Sequence, residues 1–212
     1  MIDLLSMLRV SALGDSITAG SPLWDPDPAV RRRIGAALDE RSQWEWWAAS
    51  AHPDLRFRNC GVYGERAEEI ERRLERCAAG ADVLVVQGGI NDVAQGRPVE
   101  PAAEALRRMV RRGRELGLRV VLADVLPWNN GWPRGEPAIR RLNELVHAIG
   151  ADEGVPILPF HDTLEDPERP GRMREEWTDD GDHPSIEGYR KLGELACTPL
   201  ITMPGSGFRS RS

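Results

Sequence analysis

The chain alternates five short apolar runs with five longer segments in which apolar residues recur at helical spacing. In one such segment Ile139, Leu142, Val146 and Ile149 are three or four residues apart. The runs predict strands at 8–13, 55–60, 82–87, 118–124 and 155–159, and the longer segments predict helices near 28–50, 65–79, 98–116, 136–152 and 184–197. Strands that alternate with helices form parallel sheets covered on both faces. The sequence therefore predicts a three-layer α/β/α fold with a five-stranded parallel, flavodoxin-like sheet.

The length of the chain, 212 residues, suits one domain of this kind with a substantial core. Hydrophobic residues make up 41% and charged residues 29%, which is typical of a globular domain. No internal repeat or linker divides the sequence. We therefore expect a single domain over 1–203, followed by a disordered Gly/Ser/Arg-rich tail over 204–212.

Charge and hydropathy exclude several classes of function. A net charge of −6 argues against a nucleic-acid surface. No apolar run is long enough to cross a bilayer, so we expect no stable membrane insertion, and the first residues do not resemble a secretory signal. Three scattered cysteines, Cys60, Cys77 and Cys197, predict neither a disulfide framework nor a zinc site. A cytoplasmic protein is the expectation, with its oligomeric state left open.

The first polar segment of interest is Gly14-Asp15-Ser16, directly after the first predicted strand. A serine at such a turn can present its hydroxyl at the edge of a sheet, which is a common way to build a nucleophile. A turn of this composition also occurs for purely structural reasons. Taken alone, the segment makes Ser16 a candidate and no more.

A second candidate segment lies near the carboxyl end, where His183 follows Asp180 by three residues. One turn of backbone can bring that carboxylate to the imidazole Nδ1. The carboxylate would then hold the ring in one tautomer while Nε2 takes a serine proton. A solvated acidic turn explains the same residues equally well.

Two further segments, Asn59–Gly64 and Gly88–Asp92, each follow a predicted strand. A glycine N–H and the side chain of Asn91, placed beside a nucleophilic serine, would complete an oxyanion hole. Glycine and asparagine are also favoured in βα turns for backbone reasons alone. The full Gly-x-Gly-x-x-Gly dinucleotide fingerprint is absent.

Together the four segments resemble the sequence blocks of the SGNH hydrolases, also called GDSL esterases. All four blocks occur in order across residues 8 to 197, with Gly89-Ile90-Asn91-Asp92 as the third and Asp180 to His183 as the fourth. A long Trp-rich stretch between the first two blocks departs from the family pattern, and it leaves the substrate class open.

The resemblance implies a role for each matching residue. Ser16 would be the nucleophile, His183 the base and Asp180 its orienting acid. Oxyanion donors would be the Ser16 N–H, the Gly64 N–H and the side chain of Asn91. The implied enzyme is a serine esterase that forms an acyl-enzyme and needs no cofactor or metal. The shortness of the chain and the lack of an obvious apolar lid favour small carboxylic esters with short, acetyl-like acyl groups, including those on carbohydrates.

Substrate contacts are expected from residues near the same edge. Trp128, Asn129 and Trp132 lie in a loop after the fourth predicted strand, where aromatic and amide groups suit a sugar or an aromatic ester. Packing of this loop against the body explains the tryptophans equally well. Asp15 and Trp24 neighbour Ser16 and are expected to border the substrate.

Other functions stay open. The family also allows a thioesterase or lysophospholipase that acts on longer acyl chains. A non-catalytic, receiver-like binding module would share the sheet topology, but Asp15 stands alone where such a module needs an acidic cluster. His161 follows the fifth strand and is a weaker candidate than His183 for the base.

Overall fold

The computed structural model describes residues 7–202 and contains one sheet of five parallel strands in the order β2-β1-β3-β4-β5. Every neighbouring pair of strands is parallel. The strands are β1 (Leu8–Gly14), β2 (Leu55–Gly61), β3 (Val83–Val86), β4 (Arg119–Ala123) and β5 (Ile157–Leu158). The predicted fold class is confirmed, and every predicted strand ends within two residues of an observed one. The tail over 204–212 lies outside the described residues.

The helices alternate with these strands. They are α1 (Ser16–Ala19), α2 (Pro28–Ile34), α3 (Trp44–Ala51), α4 (Ala67–Glu71), α5 (Leu74–Ala78), α6 (Ile90–Ala94), α7 (Val99–Glu115), α8 (Glu136–Glu153), α9 (Phe160–Leu164) and α10 (Ile186–Thr202). The single helix predicted over 28–50 is wrong, because α2 and α3 are separated by two 3₁₀ turns. Gly35 ends α2 in a positive-φ conformation, with φ at +62°, that takes the chain out of the helix. The helix predicted over 65–79 is likewise divided into α4 and α5.

The sheet separates the core into two layers, because successive strand residues point to opposite faces. On one face Leu84 and Leu122 pack against α4, α5, α7 and α8. On the other face Val85 and Val121 pack against α3, α9 and α10. Strand β1 pairs with β2 on one side and β3 on the other, so consecutive crossovers leave it in opposite directions. Ligands of open parallel sheets bind beyond the strand ends at such a point.

Within residues 7–202, no helix has the length and apolar character that a membrane span requires.

The Cys60 and Cys77 side chains form a disulfide between the carboxyl end of β2 and helix α5, with their Cα atoms 6.1 Å apart. The expectation that the cysteines stay unpaired is therefore wrong. Spacing alone could not reveal the pair, because the crossover through α4 and α5 returns Cys77 to the edge strand after 17 residues. Cys197, in α10, is the free cysteine of the described residues and is buried.

Removal of this disulfide by Cys60→Ala together with Cys77→Ala is expected to lower the free energy of unfolding by about 2–4 kcal/mol, because the cross-link no longer restricts the unfolded chain. Urea unfolding measures the loss. A reductant should cause the same loss in the wild type and none in the double variant. Thiol titration of the oxidised, denatured protein should find one free cysteine, and a count of three would contradict the pairing.

Glu45, in α3, is a buried acid that has no ion-pair partner among residues 7–202. The residue is 2% exposed, and within the described part of the chain neither carboxyl oxygen has a hydrogen-bond partner. Burial disfavours the charged form, so the pKa of Glu45 lies well above its usual range. A polar group buried without a partner costs stability, so Glu45 opposes the packing of α3.

Glu45→Gln is expected to remove part of the pH dependence of stability. In the wild type the unfolded Glu45 ionises as the pH rises above about 4.5, while the folded carboxyl stays protonated, so the folded state loses stability toward neutral pH. Glutamine does not ionise. The melting temperature of the variant, measured relative to the wild type, should therefore be higher at pH 8 than at pH 4. Glu40→Gln, at an exposed position, is the control. An equal difference at both pH values would count against the assignment.

Candidate active site

Three of the predicted segments meet at the carboxyl edge of the sheet. Ser16 begins α1 directly after β1, Gly64 follows β2, and Asn91 lies in α6 after β3. The Asn91 Nδ2 group donates a hydrogen bond to the Glu65 carbonyl oxygen at 2.9 Å, which joins the second segment to the third. Parallel strands place their carboxyl ends together, and this is the reason for the convergence.

Asp15 holds the amino end of α1 and so positions Ser16. Its carboxylate accepts hydrogen bonds from the Ile17 N–H and from Gln87 Nε2, each at 3.0 Å. Burial raises the pKa of Asp15 to about 6, against the lowering effect of these hydrogen bonds. The expected substrate contact is corrected here, since Asp15 is fully buried and its oxygens are engaged within the protein.

Gly14 makes this packing possible. A Cβ atom at Gly14 would lie 2.2 Å from Thr18 Oγ1 and 2.5 Å from Gln87 Oε1. The same Gln87 oxygen accepts hydrogen bonds from the Thr18 hydroxyl at 2.9 Å and from the Asp15 N–H at 3.2 Å. The glycine of the Gly14-Asp15-Ser16 segment is thus required by close approach of side chains beneath the serine.

Ser16, His183 and Asp180 are joined by hydrogen bonds. His183 Nε2 lies 3.1 Å from Ser16 Oγ, and His183 Nδ1 lies 2.7 Å from Asp180 Oδ2. The other oxygen of Asp180 accepts the His183 N–H at 2.7 Å. Partial burial acts to raise the pKa of Asp180, but the hydrogen bonds from His183 and Asp182 together outweigh it and leave that pKa below its usual range. The structure brings all three residues into the arrangement of a nucleophile, a base and an orienting acid.

The candidate oxyanion donors belong to Ser16, Gly64 and Asn91. Gly64 has a φ of +78°, which favours glycine, and a Cβ atom there would meet no atom within 4 Å. Across residues 7–202 the N–H groups of Ser16 and Gly64 donate to no protein oxygen. Asn91 uses one of its two side-chain N–H groups on Glu65, which fixes the amide plane. These donors are of the kind that stabilises an oxyanion.

Two residues that sequence reasoning missed hold these segments together. The Arg73 guanidinium donates to the Gly14 carbonyl at 3.0 Å, to the Cys60 carbonyl at 2.7 Å and to the Glu65 carboxylate at 2.7 Å. Asp92 accepts the Ala67 N–H at 3.0 Å, at the start of α4. Asp92 lies in the Gly-x-Asn-Asp block, and that motif was the signal that could have identified it. Arg73 carries no local signal.

The loop after β4 packs against the predicted segment that contains Asp180 and His183. The Trp128 indole N–H donates to Asp182 Oδ1 at 2.6 Å. The Asn129 amide exchanges two hydrogen bonds with the backbone of Met173, at 3.0 Å and 2.6 Å. The polar groups of Trp128 and Asn129 are therefore engaged within the protein, and the packing alternative replaces the expected substrate contact for both.

Two other tryptophans keep exposed surface. Trp132 is 45% exposed, and the Arg172 guanidinium lies 5.5 Å from its ring centre. Trp24 is half-buried, with the Arg31 guanidinium 4.8 Å from its ring centre. Cationic groups attract the face of an aromatic ring, so both rings are held by their arginines.

His161 does not join the Ser16 network. Its backbone N–H donates to the buried Asp124 carboxylate at 2.8 Å, and its ring lies 3.5 Å from Asp162. His161, Asp162 and Glu165 bring possible metal-ligand atoms within 4.8 Å of one another, which the sequence spacing did not indicate. Surface carboxylates commonly group in this way without an ion, and we propose no metal site there.

Tyr63 and a neighbouring cavity were also missed. Tyr63 is 67% exposed, and its ring centre lies 6.2 Å from that of His183. A cavity of about 560 Å³ lies between the segment at 25–30 and the carboxyl end of β2, with Tyr63 on its wall. The aromatic residue between Gly61 and Gly64 was the available signal. The cavity itself depends on how the segment at 25–30 folds back.

Solved structures share this architecture. A lipolytic protein of the G-D-S-L family from Desulfitobacterium hafniense is 21% identical, with a TM-score of 0.74 over 90% of this chain and 98% of its own. TesA is 22% identical, with a TM-score of 0.70 over 91% and 98%. Axe2, an acetylxylan esterase from Geobacillus stearothermophilus, is 18% identical, with a TM-score of 0.72 over 93% and 96%. At these identities the similarity shows the fold.

Sequence comparison identifies the family. No curated protein sequence matches the chain. The model of the GDSL-like Lipase/Acylhydrolase family matches residues 12–191, which include all four sequence blocks. The resemblance found in the sequence is thus confirmed, and the chain belongs to the GDSL-like lipase/acylhydrolase family.

Proposed function

We propose that this ester-hydrolysing enzyme is a serine esterase that acts through an acyl-enzyme. The supporting observation is the unbroken line of hydrogen bonds from Ser16 Oγ through the His183 ring to Asp180, at 3.1 Å and 2.7 Å. Both distances are within the reach needed for proton transfer and for orientation of the ring.

In the proposed mechanism His183 Nε2 accepts the hydroxyl proton as Ser16 Oγ attacks the ester carbonyl carbon. Asp180 stabilises the imidazolium through Nδ1. The imidazolium then protonates the leaving alcohol, which departs from the acyl-enzyme. Water repeats the sequence with His183 as base, and the carboxylic acid is released. This chemistry requires no cofactor.

The oxyanion of the tetrahedral intermediate is assigned to the N–H groups of Ser16 and Gly64 and to the Asn91 side chain. The position of Asn91 is supported by its hydrogen bond to Glu65, whose carboxylate is held by Arg73. Donors fixed before the reaction lose little energy to reorganisation, so they stabilise the developing charge efficiently.

Ser16 and His183 do not line the cavity beside Tyr63, but the Tyr63 ring on its wall lies 6.2 Å from the His183 ring, so the cavity neighbours the reacting groups. Its character supports a small acyl group with a polar leaving group, such as an acetylated carbohydrate. Its volume is about 560 Å³, and charged side chains, including Asp25, Arg58 and Arg76, contribute to its lining. Burial of these charged groups under a long aliphatic chain would cost free energy, which favours a polar substrate. We propose Trp24 and Trp132 as further contacts, since each keeps accessible ring surface. The acetylxylan esterase among the similar structures agrees with this class of substrate.

The size of the cavity also favours a second candidate. A volume of about 560 Å³ exceeds what an acetyl group fills, and a thioesterase or lysophospholipase would use such space for a longer acyl chain. A non-catalytic module is the remaining alternative.

The disulfide removes the basis for the expected reducing cytoplasm, and we propose no compartment.

Ser16→Ala is expected to lower kcat by several orders of magnitude with folding intact, because no acyl-enzyme can form. Esterase assays and circular dichroism measure the two effects. His183→Ala should cost about as much, and the double variant should lose no more than either single one. A fluorophosphonate should label the wild type at Ser16. Absence of labelling, with full activity in Ser16→Ala, would refute the mechanism.

A series of p-nitrophenyl esters of increasing acyl length tests the substrate class. We expect kcat/KM to be highest for acetyl and to fall beyond about four to six carbons, with acetylated sugars also hydrolysed. Comparison with a palmitoyl ester and a palmitoyl thioester separates the two candidates. Efficient hydrolysis of either long-chain compound would reject the short-acyl proposal in favour of the second.

A further inference from the structure

We propose that Trp128 and Asn130 are positioning residues for His183, acting through the turn at 180–182. This inference depends on the proposed function. Neither residue touches the reacting atoms, and neither belongs to the four sequence blocks. Their contacts determine where the orienting acid of the triad lies.

The turn that carries Asp180 has only local hydrogen bonds among its own residues. It lies outside the helices and strands, and the Asp180 side chain is 37% exposed. Within the turn the Thr178 hydroxyl donates to the His183 carbonyl at 2.7 Å and accepts the Gly181 N–H at 3.0 Å. These bonds close the turn locally, but they do not connect it to the body of the protein.

The loop after β4 supplies that connection. The Trp128 indole N–H and the Asn130 Nδ2 group both donate to Asp182 Oδ1, at 2.6 Å and 2.8 Å. Asn130 Nδ2 also donates to the Asp180 carbonyl at 2.8 Å, and the Asn130 N–H donates to the Gly181 carbonyl at 3.2 Å. All three residues at 180–182 are thus bound from the same loop.

The loop is itself rigidly placed. The Trp128 ring is half-buried and packs against the α7–α8 side of the core. A Cβ atom at Gly131 would lie 1.9 Å from this ring, so the backbone passes directly over it. At the far side of the contact, Gly181 has a φ of +79°, and a Cβ atom there would lie 2.6 Å from Asn130 Oδ1. Both glycines permit an approach that a larger residue would prevent.

Asp182 transmits the position of the loop to the base. Its N–H donates to Asp180 Oδ1 at 2.8 Å, and the same oxygen accepts the His183 N–H. Displacement of Asp182 would therefore rotate the Asp180 carboxylate away from His183 Nδ1. The imidazolium would then be less stabilised, which slows the step in which it forms.

Trp128→Phe tests this directly, because it keeps an aromatic ring and removes the N–H that reaches Asp182. We expect kcat to fall roughly tenfold with KM nearly unchanged, because the orienting acid acts on the transition state more than on the bound substrate. Trp47→Phe, in α3, is the matched control, since it removes an indole hydrogen bond of 2.8 Å to the Arg41 carbonyl. It should change stability alone.

A second pair of variants approaches the contact from the turn and applies even where Trp128→Phe does not fold. Asp182→Asn keeps an oxygen acceptor for Trp128 and Asn130 and should retain most of kcat. Asp182→Ala should show the lowered kcat with KM nearly unchanged. Asn130→Ala combined with Trp128→Phe should lose less than the sum of the single effects, because both act on one oxygen.

Three outcomes would overturn the inference. They are wild-type kcat in both Trp128→Phe and Asp182→Ala, a loss that appears in KM instead of kcat, and no recovery of kcat in Asp182→Asn. Each is read against a wild type that hydrolyses the ester and is labelled at Ser16. Failure of the wild type in these two assays would instead refute the proposed function.

Discussion

The uniform direction of the five strands is the constraint on which the site depends. Because every pair is parallel, each strand delivers its following residues to one edge, and the crossovers diverge at β1. Ser16 and Asn91 follow neighbouring strands for this reason, although they are 75 positions apart in the sequence. The shared edge of the sheet brings these residues close together, but it does not orient their side chains. Orientation comes from buried polar groups just beneath it, with Gln87 joining the end of β3 to the carboxylate of Asp15 at 3.0 Å.

Much of this arrangement was predictable because local patterns and the global fold agree. Apolar runs located the strands, and the strand ends located Ser16, Gly64 and Asn91. Asp180 and His183 were predicted as a pair because one turn of backbone suffices to join residues three apart, and the contact through His183 Nδ1 is local in this way. The helix over 28–50 failed for a local reason too, since Gly35 and the 3₁₀ turns interrupt an otherwise continuous charge pattern.

The remaining features depend on contacts between distant segments, which no spacing in the sequence encodes. Cys60 meets Cys77 only after α4 and α5 fold back on the edge strand. Trp128 looked suited to a ligand because its position after β4 was known, whereas its partner Asp182 was not. Asp15 shows the same limit. Its place beside the serine was evident, but its complete burial depends on Gln87 and Thr18. Residues next to a reactive group were predicted by proximity, and the structure shows which way they face.

Arg73 has a consequence for how this surface tolerates substitution. Its planar group reaches two main-chain oxygens and one carboxylate, belonging to Gly14, Cys60 and Glu65. A lysine carries a single compact ammonium on a flexible stem and cannot span three acceptors in fixed directions. Replacement of Arg73 by lysine would therefore not preserve these contacts. Without the guanidinium, three separate segments of the chain would lose their hydrogen bonds to one shared partner at the same time.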